Sequence, residues 1–564
     1  MAEMTFQQAV ALAREKAAAG HWTEAEAVFH QVLGQLPGHA ESLHQLGLLA
    51  LQQVNLTAAI DRFNQAITSA PDRAGYHVNL AAALRATGQI DQAVASCQRA
   101  ADLAPTRADV AHQLGAALLQ QSDARAAVEA FRRAVELNPE AAEYHTHLGI
   151  ALDRDGRPEE AAAAHRQAIA LRADLAIAHT HLGVSLSHLD RFEEALDCHQ
   201  RAVALDPRLA VAHNNLGVVQ RSLGDIDGSV ASLRQAIALT PDDAEAHLNL
   251  AQTLLLAGRF AEGWPEYEWR ARLDPVQAGR PPFAQPRWDG TRQPGKTLFV
   301  WSDQGYGDII QFSRYLPLLA DSGMRVVLGC RPALRRLQES IPGVDDFVTE
   351  GGSLPAFDFH VPLSSLPLAL GNRMADIPAT VPYLSPPPAV LEAWRQRFGL
   401  SSRLRIGLVW AGQPRQRFDR RRSLTLGALA PLFAATGDMA TFFSLQLGEA
   451  AAQLEPSPVP AEDLAPHLSD FADTAAAICQ LDLVITVDTA VAHLAGALGR
   501  PVWTLISSPP DWRYQMNRED SPWYPTMRLF RQSRPGDWAD PIARAASALG
   551  TVAREGRDFR SNPV

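Results

Sequence analysis

The chain has 564 residues, too many for one hydrophobic core and enough for two or three domains; 47% are hydrophobic and 20% charged, as in ordinary soluble proteins. A net charge of -11 argues against a dedicated nucleic-acid binder, which needs a basic surface to displace counterions. Four scattered cysteines, Cys97, Cys198, Cys330 and Cys479, form no CxxC pair and suggest neither a disulfide framework nor a zinc site. The opening residues carry acids and no long apolar run, unlike a signal peptide, and no stretch approaches the ~20 apolar residues of a membrane span. A reducing, cytoplasmic setting is therefore expected.

The first half is organised by a period of 34 residues. Pro37, Pro71, Pro105, Pro139, Pro207, Pro241 and Pro275 share that ruler, with one gap at Ala173. Leu12, Leu46, Leu80, Leu114, Leu148, Leu182, Leu216 and Leu250 keep it too, as do Ala25, Ala59, Ala93, Ala127, Ala161, Ala195, Ser229 and Gly263. Such regularity is a stack of repeated units. Each unit reads as two helices. The first carries a Leu-Gly or Leu-Ala step such as Leu114-Gly115, where a small residue admits a neighbour. The second carries Ala and, one turn later, a large residue: Phe29, Phe63, Phe131 or Tyr267. Proline closes the unit because it cannot continue a helix.

These motifs resemble the tetratricopeptide repeat, in eight units from about residue 4 to 275. The fold expected for residues 1–275 is an α-solenoid, a tetratricopeptide-repeat superhelix that binds a protein. The residue before each ruled leucine from Leu46 onward is polar: Gln45, Asn79, Gln113, His147, His181, Asn215 and Asn249. In O-GlcNAc transferase, which this half resembles, an asparagine ladder at that position holds the backbone of the protein substrate. The resemblance implies the same use here, and amide side chains offer a donor and an acceptor to a peptide unit. Plain solvated positions would give the same pattern. Histidines two residues before the ladder positions (His77, His145, His179, His213, His247) lie a repeat or more apart, too far to share a metal. They stand where the family carries an aromatic packing residue.

Residues 276–296 form a Pro/Arg/Gly-rich connector containing Pro286-Arg287-Trp288-Asp289-Gly290, and its aromatics argue for packing. Beyond it the pattern becomes alternating strands and helices. Apolar runs at 297–301, 325–328 and 357–363 make one series; runs at 406–410, 441–445, 483–487 and 502–506 make a second, after the break at Ser385-Pro386-Pro387-Pro388. Two blocks of this kind imply two parallel-sheet lobes, 297–384 and 385–564, with ligands at the carboxyl ends of the strands.

Two strand ends carry chemistry. Gly305-Tyr306-Gly307-Asp308 permits a tight turn with close backbone approach, and Asp308 opens a helix. At the second, a strand ends at Asp488 and a small-residue helix starts at Thr489, running Ala490-Val491-Ala492-His493; its free N–H groups suit a phosphate. Arg415, Arg417, Arg420, Arg421 and Arg422 follow the strand ending at Trp410, and arginine forks suit phosphates or a sugar carboxylate. Ser444, Leu445 and Gln446 end another strand within reach of a ribose or base. Asp308, Asp488 and Thr489 also fit simple helix caps, and an arginine run also fits a solvated loop.

Residues 297–550, with the Gly-x-Gly-Asp turn and the Asp-Thr-Ala-x-x-His-Leu-Ala-Gly-Ala-Leu-Gly-x-Pro block, resemble heptosyltransferase-type GT-B glycosyltransferases. The resemblance implies Asp308 as catalytic base. It implies donor contacts at Gly305, Gly307, Gln446, Asp488, Thr489, Ala490, His493, Arg421 and Arg422. Asp511-Trp512-Arg513 and Ser521-Pro522-Trp523-Tyr524-Pro525 are similar to a subgroup that joins this domain to tetratricopeptide repeats, some of whose members glycosylate flagellin. The expectation is therefore a protein O-glycosyltransferase acting on Ser or Thr, with flagellin as acceptor. Its donor is a nucleotide sugar, either a CMP-nonulosonic acid or a UDP- or ADP-linked sugar. Without a DxD motif, the resemblance implies transfer with no metal and no cofactor beyond the donor. A scaffold with a decayed transferase domain, and a saccharide or lipopolysaccharide transferase with partner-recruiting repeats, are the alternatives.

Overall fold

The computed structural model describes residues 5–273, 283–371, 377–414, 419–455 and 459–555. Pro275, Arg415, Arg417 and the first part of the connector lie outside the described residues. The chain divides into two compact units, one ending at Asn215 and one starting at Leu216. That boundary lies inside the repeats and not at residue 275. It falls inside the helix Ala210–Ser222, so the last helix pair and most of the one before it belong to the same compact unit as the α/β part.

Sixteen helices form eight pairs, from Phe6–Ala18 with Trp22–Gln35 to Ala244–Leu256 with Phe260–Tyr267. The packing reason is visible at the Leu-Gly step. A Cβ on Gly115 would stand 2.9 Å from the Phe131 ring, and one on Gly47 would stand 2.5 Å from Phe63. One helix thus takes the ring of its partner directly against its backbone. Between these two units the ruled pair is Ala81 with Cys97, both fully buried, so a larger first residue faces a smaller second one. Second helices are entered through side-chain caps at several units: Asn55 accepts from the Ala58 N–H at 3.2 Å and Asp123 from that of Ala126 at 3.0 Å. The final second helix has 8 residues where the others have 14, and it contains Pro265, which lacks a backbone donor.

Two parallel sheets follow in the second unit. β1 (Thr297–Trp301), β2 (Arg325–Cys330), β3 (Asp346–Thr349) and β4 (Phe359–Pro362) form one, in the order β3-β2-β1-β4. β5 (Leu404–Val409), β6 (Ala440–Ser444), β7 (Ala461–Asp463), β8 (Leu483–Val487), β9 (Val502–Ile506) and β10 (Met527–Arg531) form the other, in the order β10-β9-β8-β5-β6-β7. Every pairing between these strands is parallel. Burial explains which strands are legible as apolar runs: β8 and β9 are buried at every position, whereas β3 is half-buried throughout.

The described part of the connector is packed. The Trp288 backbone N–H donates to the His360 carbonyl at 2.8 Å, extending the edge beside β4; its indole N–H donates to the Thr291 carbonyl at 2.8 Å, and the residue is 3% exposed. Trp264 of the last helix pair joins the same apolar core, edge-on to Trp512 at 5.6 Å and to Phe312 at 6.2 Å between ring centres.

Candidate functional site

The site grows from the carboxyl ends of β1 and β8, the two central positions from which loops can meet. After β1 the chain turns through Gly305 into the helix Tyr306–Phe312. Asp308 sits in its first turn and accepts from the Gly305 N–H at 3.1 Å through Oδ2. That bond is the capping role the residue type permits. The other oxygen, Oδ1, is ion-paired with Arg513. The carboxyl therefore has both a structural and an electrostatic partner.

After β8 the chain enters the helix Ala490–Ala497 with Thr489 at its N-cap. The Thr489 hydroxyl bonds the Thr486 hydroxyl at 3.0 Å and does not cap its own helix. The two helix starts are adjacent: a Cβ on Gly307 would stand 3.0 Å from the His493 ring and 3.5 Å from the Ala490 Cα. A side chain there would press on the His493 ring, whereas the distance to the Ala490 backbone is an ordinary contact. Gly307, Asp308, Ala490 and His493 thus come together, although 182 residues separate Gly307 from Thr489 in the chain (489 − 307).

The segment after β9 closes the cluster. The Arg513 guanidinium donates to Gln311 Oε1 at 2.7 Å and to Asp511 Oδ1 at 2.8 Å, pairs with Asp308, and lies 4.3 Å from the centre of the Trp512 ring. The Tyr514 hydroxyl donates to Asp488 Oδ1 at 2.6 Å. Burial pushes the Asp308 carboxyl up; Arg513 pulls it down, Asp511 and Asp303 push it further up, and the net direction is upward. Asp488 is raised by burial and by Asp511. Asp511 faces the same burial cost but is held low by Arg513. The three acids therefore have separated tasks: Asp511 is the fixed anion, and Asp308 and Asp488 hold protons more readily.

His493 is 5% exposed, and its Nδ1 shares a hydrogen bond of 3.0 Å with the Tyr524 hydroxyl. Burial first, and Arg513 next, push its pKa down to about 3. In the ligand-free protein this favours the neutral ring, which packs beside Gly307 of the Gly305–Asp308 turn.

Gln446 follows β6. Its Oε1 accepts from the Trp410 and Ala411 N–H groups at 3.0 and 2.9 Å, and its Nε2 donates to the Ala411 and Leu447 carbonyls at 3.1 and 3.0 Å. At 3% exposure the amide staples the β5 and β6 loops and presents no polar atom to a ligand. Arg422 is anchored by Asp419 at 3.1 Å and lies close enough to Asp488 and His493 to act on both electrostatically. Arg421 is half-buried beside it and Arg420 is exposed.

Two partner groups are not foreshadowed by the motifs. Arg270, just past the last helix pair, donates to Asp303 Oδ2 at 3.0 Å and to the Ser364 and Ser365 hydroxyls at 2.6 Å each, and Glu268 joins it at 3.0 Å. This network fixes the turn that carries Gly305–Asp308. Arg314, 2% exposed, donates to the Trp523 carbonyl at 2.6 Å and to Tyr383 Oη at 3.2 Å, with its guanidinium 4.6 Å from the Tyr524 ring centre. The available signal is the Ser521–Pro525 motif itself, whose tryptophan carbonyl and tyrosine ring meet Arg314.

The seven ruled polar residues of the repeats are all half-buried. Several have intramolecular partners: Gln45 Nε2 donates to Glu41 at 2.9 Å, Asn79 Nδ2 meets His44 Nε2 at 2.7 Å, and Gln113 Oε1 accepts from Arg85 at 3.0 Å. His147 Nδ1 stands 3.2 Å from His112 Nε2, His181 stacks on His165 with centres 5.6 Å apart, and Asn215 Oδ1 accepts from Asn214 at 3.3 Å. The Asn249 carbonyl accepts from Arg221 at 2.9 Å. The second histidine series has one shared role. His77, His145, His179, His213 and His247 each place Nε2 at 2.8–3.1 Å from the carbonyl six residues earlier. That carbonyl belongs to the ruled proline or, for His179, to Ala173, so the ring closes the turn between units.

Comparison with known proteins agrees with this division. Tetratricopeptide-repeat family models match residues 10–74, 44–108 and 112–176, and a further TPR repeat model matches 219–258. The glycosyltransferase family 9 (heptosyltransferase) model matches residues 446–522. That span holds Gln446, the Asp488–His493 block and Asp511–Arg513, and ends before the Tyr524 that bonds His493. Over 333 residues the chain is 27% identical to Protein FlbA of Caulobacter vibrioides, covering 54% of each; it thus spans about half the length of that curated relative. Among solved structures, a tetratricopeptide repeat protein from Parabacteroides merdae is 13% identical with a TM-score of 0.38, covering 44% of this chain and 98% of that one. A thermophilic TPR protein of Thermus thermophilus is 27% identical with a TM-score of 0.28, covering 30% and 92%. Among the described residues no helix is long and apolar enough to cross a membrane. Helix pairs on a fixed ruler and these matches identify tetratricopeptide repeats in the first part of the chain, and in the α/β part a segment, residues 446–522, that matches glycosyltransferase family 9 (heptosyltransferase).

Proposed function

We propose that this chain is a glycosyltransferase that moves a sugar from a nucleotide-sugar donor to a Ser or Thr hydroxyl of a protein held by its repeats. The observation that carries the reading is the adjacency of the Gly307–Asp308 turn and the Ala490–His493 helix start, beside which Arg513 pairs with Asp308. On this reading the two sheets are the lobes of a GT-B fold, with 297–384 on the acceptor side and 385–564 on the donor side. Thr489, Ala490 and the first N–H groups of their helix receive the donor's diphosphate, with Arg421 and Arg422 supplying charge. Gly305 and Gly307 let the backbone approach it. Gln446 acts indirectly, by shaping the loop.

Asp308 takes the proton from the acceptor hydroxyl while that oxygen bonds the anomeric carbon. The bond from that carbon to the phosphate oxygen breaks, and the nucleotide leaves with the electron pair. A carboxylate raised by burial is the better base, and such a base contributes about 10²–10⁴-fold. Arg513 exchanges Asp308 for the phosphate when donor arrives, which frees the base at the moment it is needed.

The protein acceptor lies along Gln45, Asn79, Gln113, His147, His181, Asn215 and Asn249. Flagellin is the acceptor to test first, on the resemblance of the Asp511–Arg513 and Ser521–Pro525 motifs. The donor class is a CMP-nonulosonic acid or a UDP- or ADP-sugar, and transfer takes place in the cytoplasm without metal or cofactor. Intact-mass spectrometry of flagellin incubated with the protein and each donor tests the reading. A mass gain of one sugar is expected, absent with Asp308→Ala while acceptor pull-down persists. Transfer undiminished in Asp308→Ala removes Asp308 as base, and no gain with any donor removes the reading.

A further inference from the structure

Three potential ligands meet where neighbouring repeats touch, away from the Asp308–Asp488 cluster, and one of them, His147, is also a ladder position. His112 lies on the helix Ala108–Gln120, and Glu143 and His147 lie one turn apart on Ala142–Arg154. One ligand atom from each falls within 4.8 Å of the others. The closest pair, His112 Nε2 and His147 Nδ1, are 3.2 Å apart. Two nitrogens bound tetrahedrally at the usual zinc distance stand about 3.3 Å apart, so the pair already has a chelating bite.

The repeat ruler supplies an internal reference. Moving back 68 residues (two periods) maps His112, Glu143 and His147 onto His44, Gly75 and Asn79. The surroundings match: His44 stacks on Tyr76 at 4.4 Å and tilts on Phe63 at 5.6 Å, while His112 stacks on Tyr144 at 4.7 Å and tilts on Phe131 at 5.4 Å. In the earlier unit an amide completes the pair, Asn79 Nδ2 to His44 Nε2 at 2.7 Å, and glycine stands where the later unit has its carboxylate. Helix packing is thus satisfied with asparagine and glycine. The later unit replaces them with an imidazole and a carboxylate, and Glu143 is exposed, so the fold does not demand it.

We propose that His112 Nε2, His147 Nδ1 and the Glu143 carboxylate bind a divalent transition-metal ion of the zinc class, with a fourth position open to solvent. Two imidazoles select against calcium and magnesium, which take oxygen ligands. His147 Nδ1 also lies 3.0 Å from the Glu143 carbonyl, so in the metal-free ring that nitrogen carries the hydrogen. Loading moves this hydrogen to Nε2 through solvent, with no net proton released from the ring. The bound ion fastens the first helices of two consecutive units to each other.

The test is titration of the tag-free full chain with Co2+, followed by competition with Zn2+. One equivalent should give the visible absorption of four-coordinate cobalt, and zinc should remove it. His147→Asn recreates the His44–Asn79 pairing, so it should abolish the absorption without changing helicity or melting temperature. Glu143→Gln, at an exposed position, should weaken cobalt binding by roughly tenfold or more. No binding at micromolar metal, or a one-equivalent site that survives in His147→Asn or keeps its full affinity in Glu143→Gln, overturns the proposal.

Discussion

The repeats and the α/β site solve the same problem, holding polar side chains in place, over different stretches of chain. In the repeats the partners are near in sequence: Asn79 meets His44 and His147 meets His112, each 35 residues away. In the site, Asp308 meets Arg513 across 205 residues and Arg314 meets Trp523 across 209. Stacked units contact only their neighbours, so a change in one stays local and can be checked against the next unit. The site has no such reference, and every partner in it depends on two separate loops closing.

That contrast can be broken most forcefully at Arg513. Arg513→Ala leaves Asp308, Asp511 and Gln311 without their shared guanidinium, and removing one member of a buried pair costs about 3–5 kcal/mol. Differential scanning calorimetry should show the second unit melting much earlier and the first unit melting where it did. An equal downward shift of both transitions would mean that the two regions are not independent in the way the contact pattern implies.

The next effect lies at the Leu-Gly step. Gly115→Ala drives a Cβ to 2.9 Å from Phe131, and overpacking of this kind costs about 1–3 kcal/mol. Adding Phe131→Cys copies the natural Ala81/Cys97 pair of the preceding unit. Denaturant unfolding should show the double variant recovering part of the loss; simple additivity would show that the ruled pairs are not interchangeable.

A comparable effect is expected from pH. His199 is 1% exposed, and burial, aided by His181, lowers its pKa to about 4. Because the folded pKa lies below the unfolded value near 6.5, its unfolded state binds the proton first. The stability is whole above about pH 6.5 and is lost progressively as pH falls toward 4, amounting to about 2 kcal/mol at pH 5. His199→Phe, the residue type at the ruled Phe131, should flatten the drop in melting temperature between pH 7 and 5. His112 and His181, lowered to about 4 each, and His493, lowered to about 3, add to the drop in the same direction.

The smallest change is the cap. Asp123→Ala removes the acceptor of the Ala126 N–H and should cost about 1 kcal/mol by urea unfolding. A loss as large as that of Gly115→Ala would mean that entry into the second helix, and not the packed step, controls the unit.

The difference between the regions is also a difference in legibility. Period, proline and leucine place all eight helix pairs, because each unit's packing is written within one period of sequence. Seven of the ten described strands are visible as apolar runs. β3, β7 and β10 are not: β3 and β7 are short and half-exposed at the sheet edges, and β10 alternates with Arg528 and Arg531, so none reads as a buried run. The Gly305–Asp308 turn and the Asp488–His493 block are recognisable as motifs. Their adjacency is not, nor is the neutrality of His493, since burial and the reach of Arg513 are properties of the closed structure.

By itself, then, the sequence determined the repeat architecture, the alternating strands and helices, and the two loop motifs, since each is a short-range pattern of side-chain size and backbone freedom. Only the tertiary structure decided that Arg513 claims Asp308 and that Gln446 turns inward to the backbone. It also decided that the last helix pair belongs to the α/β unit, and that His112, Glu143 and His147 converge. Those outcomes depend on which groups lose water together, and that is settled when distant segments pack, not along the chain.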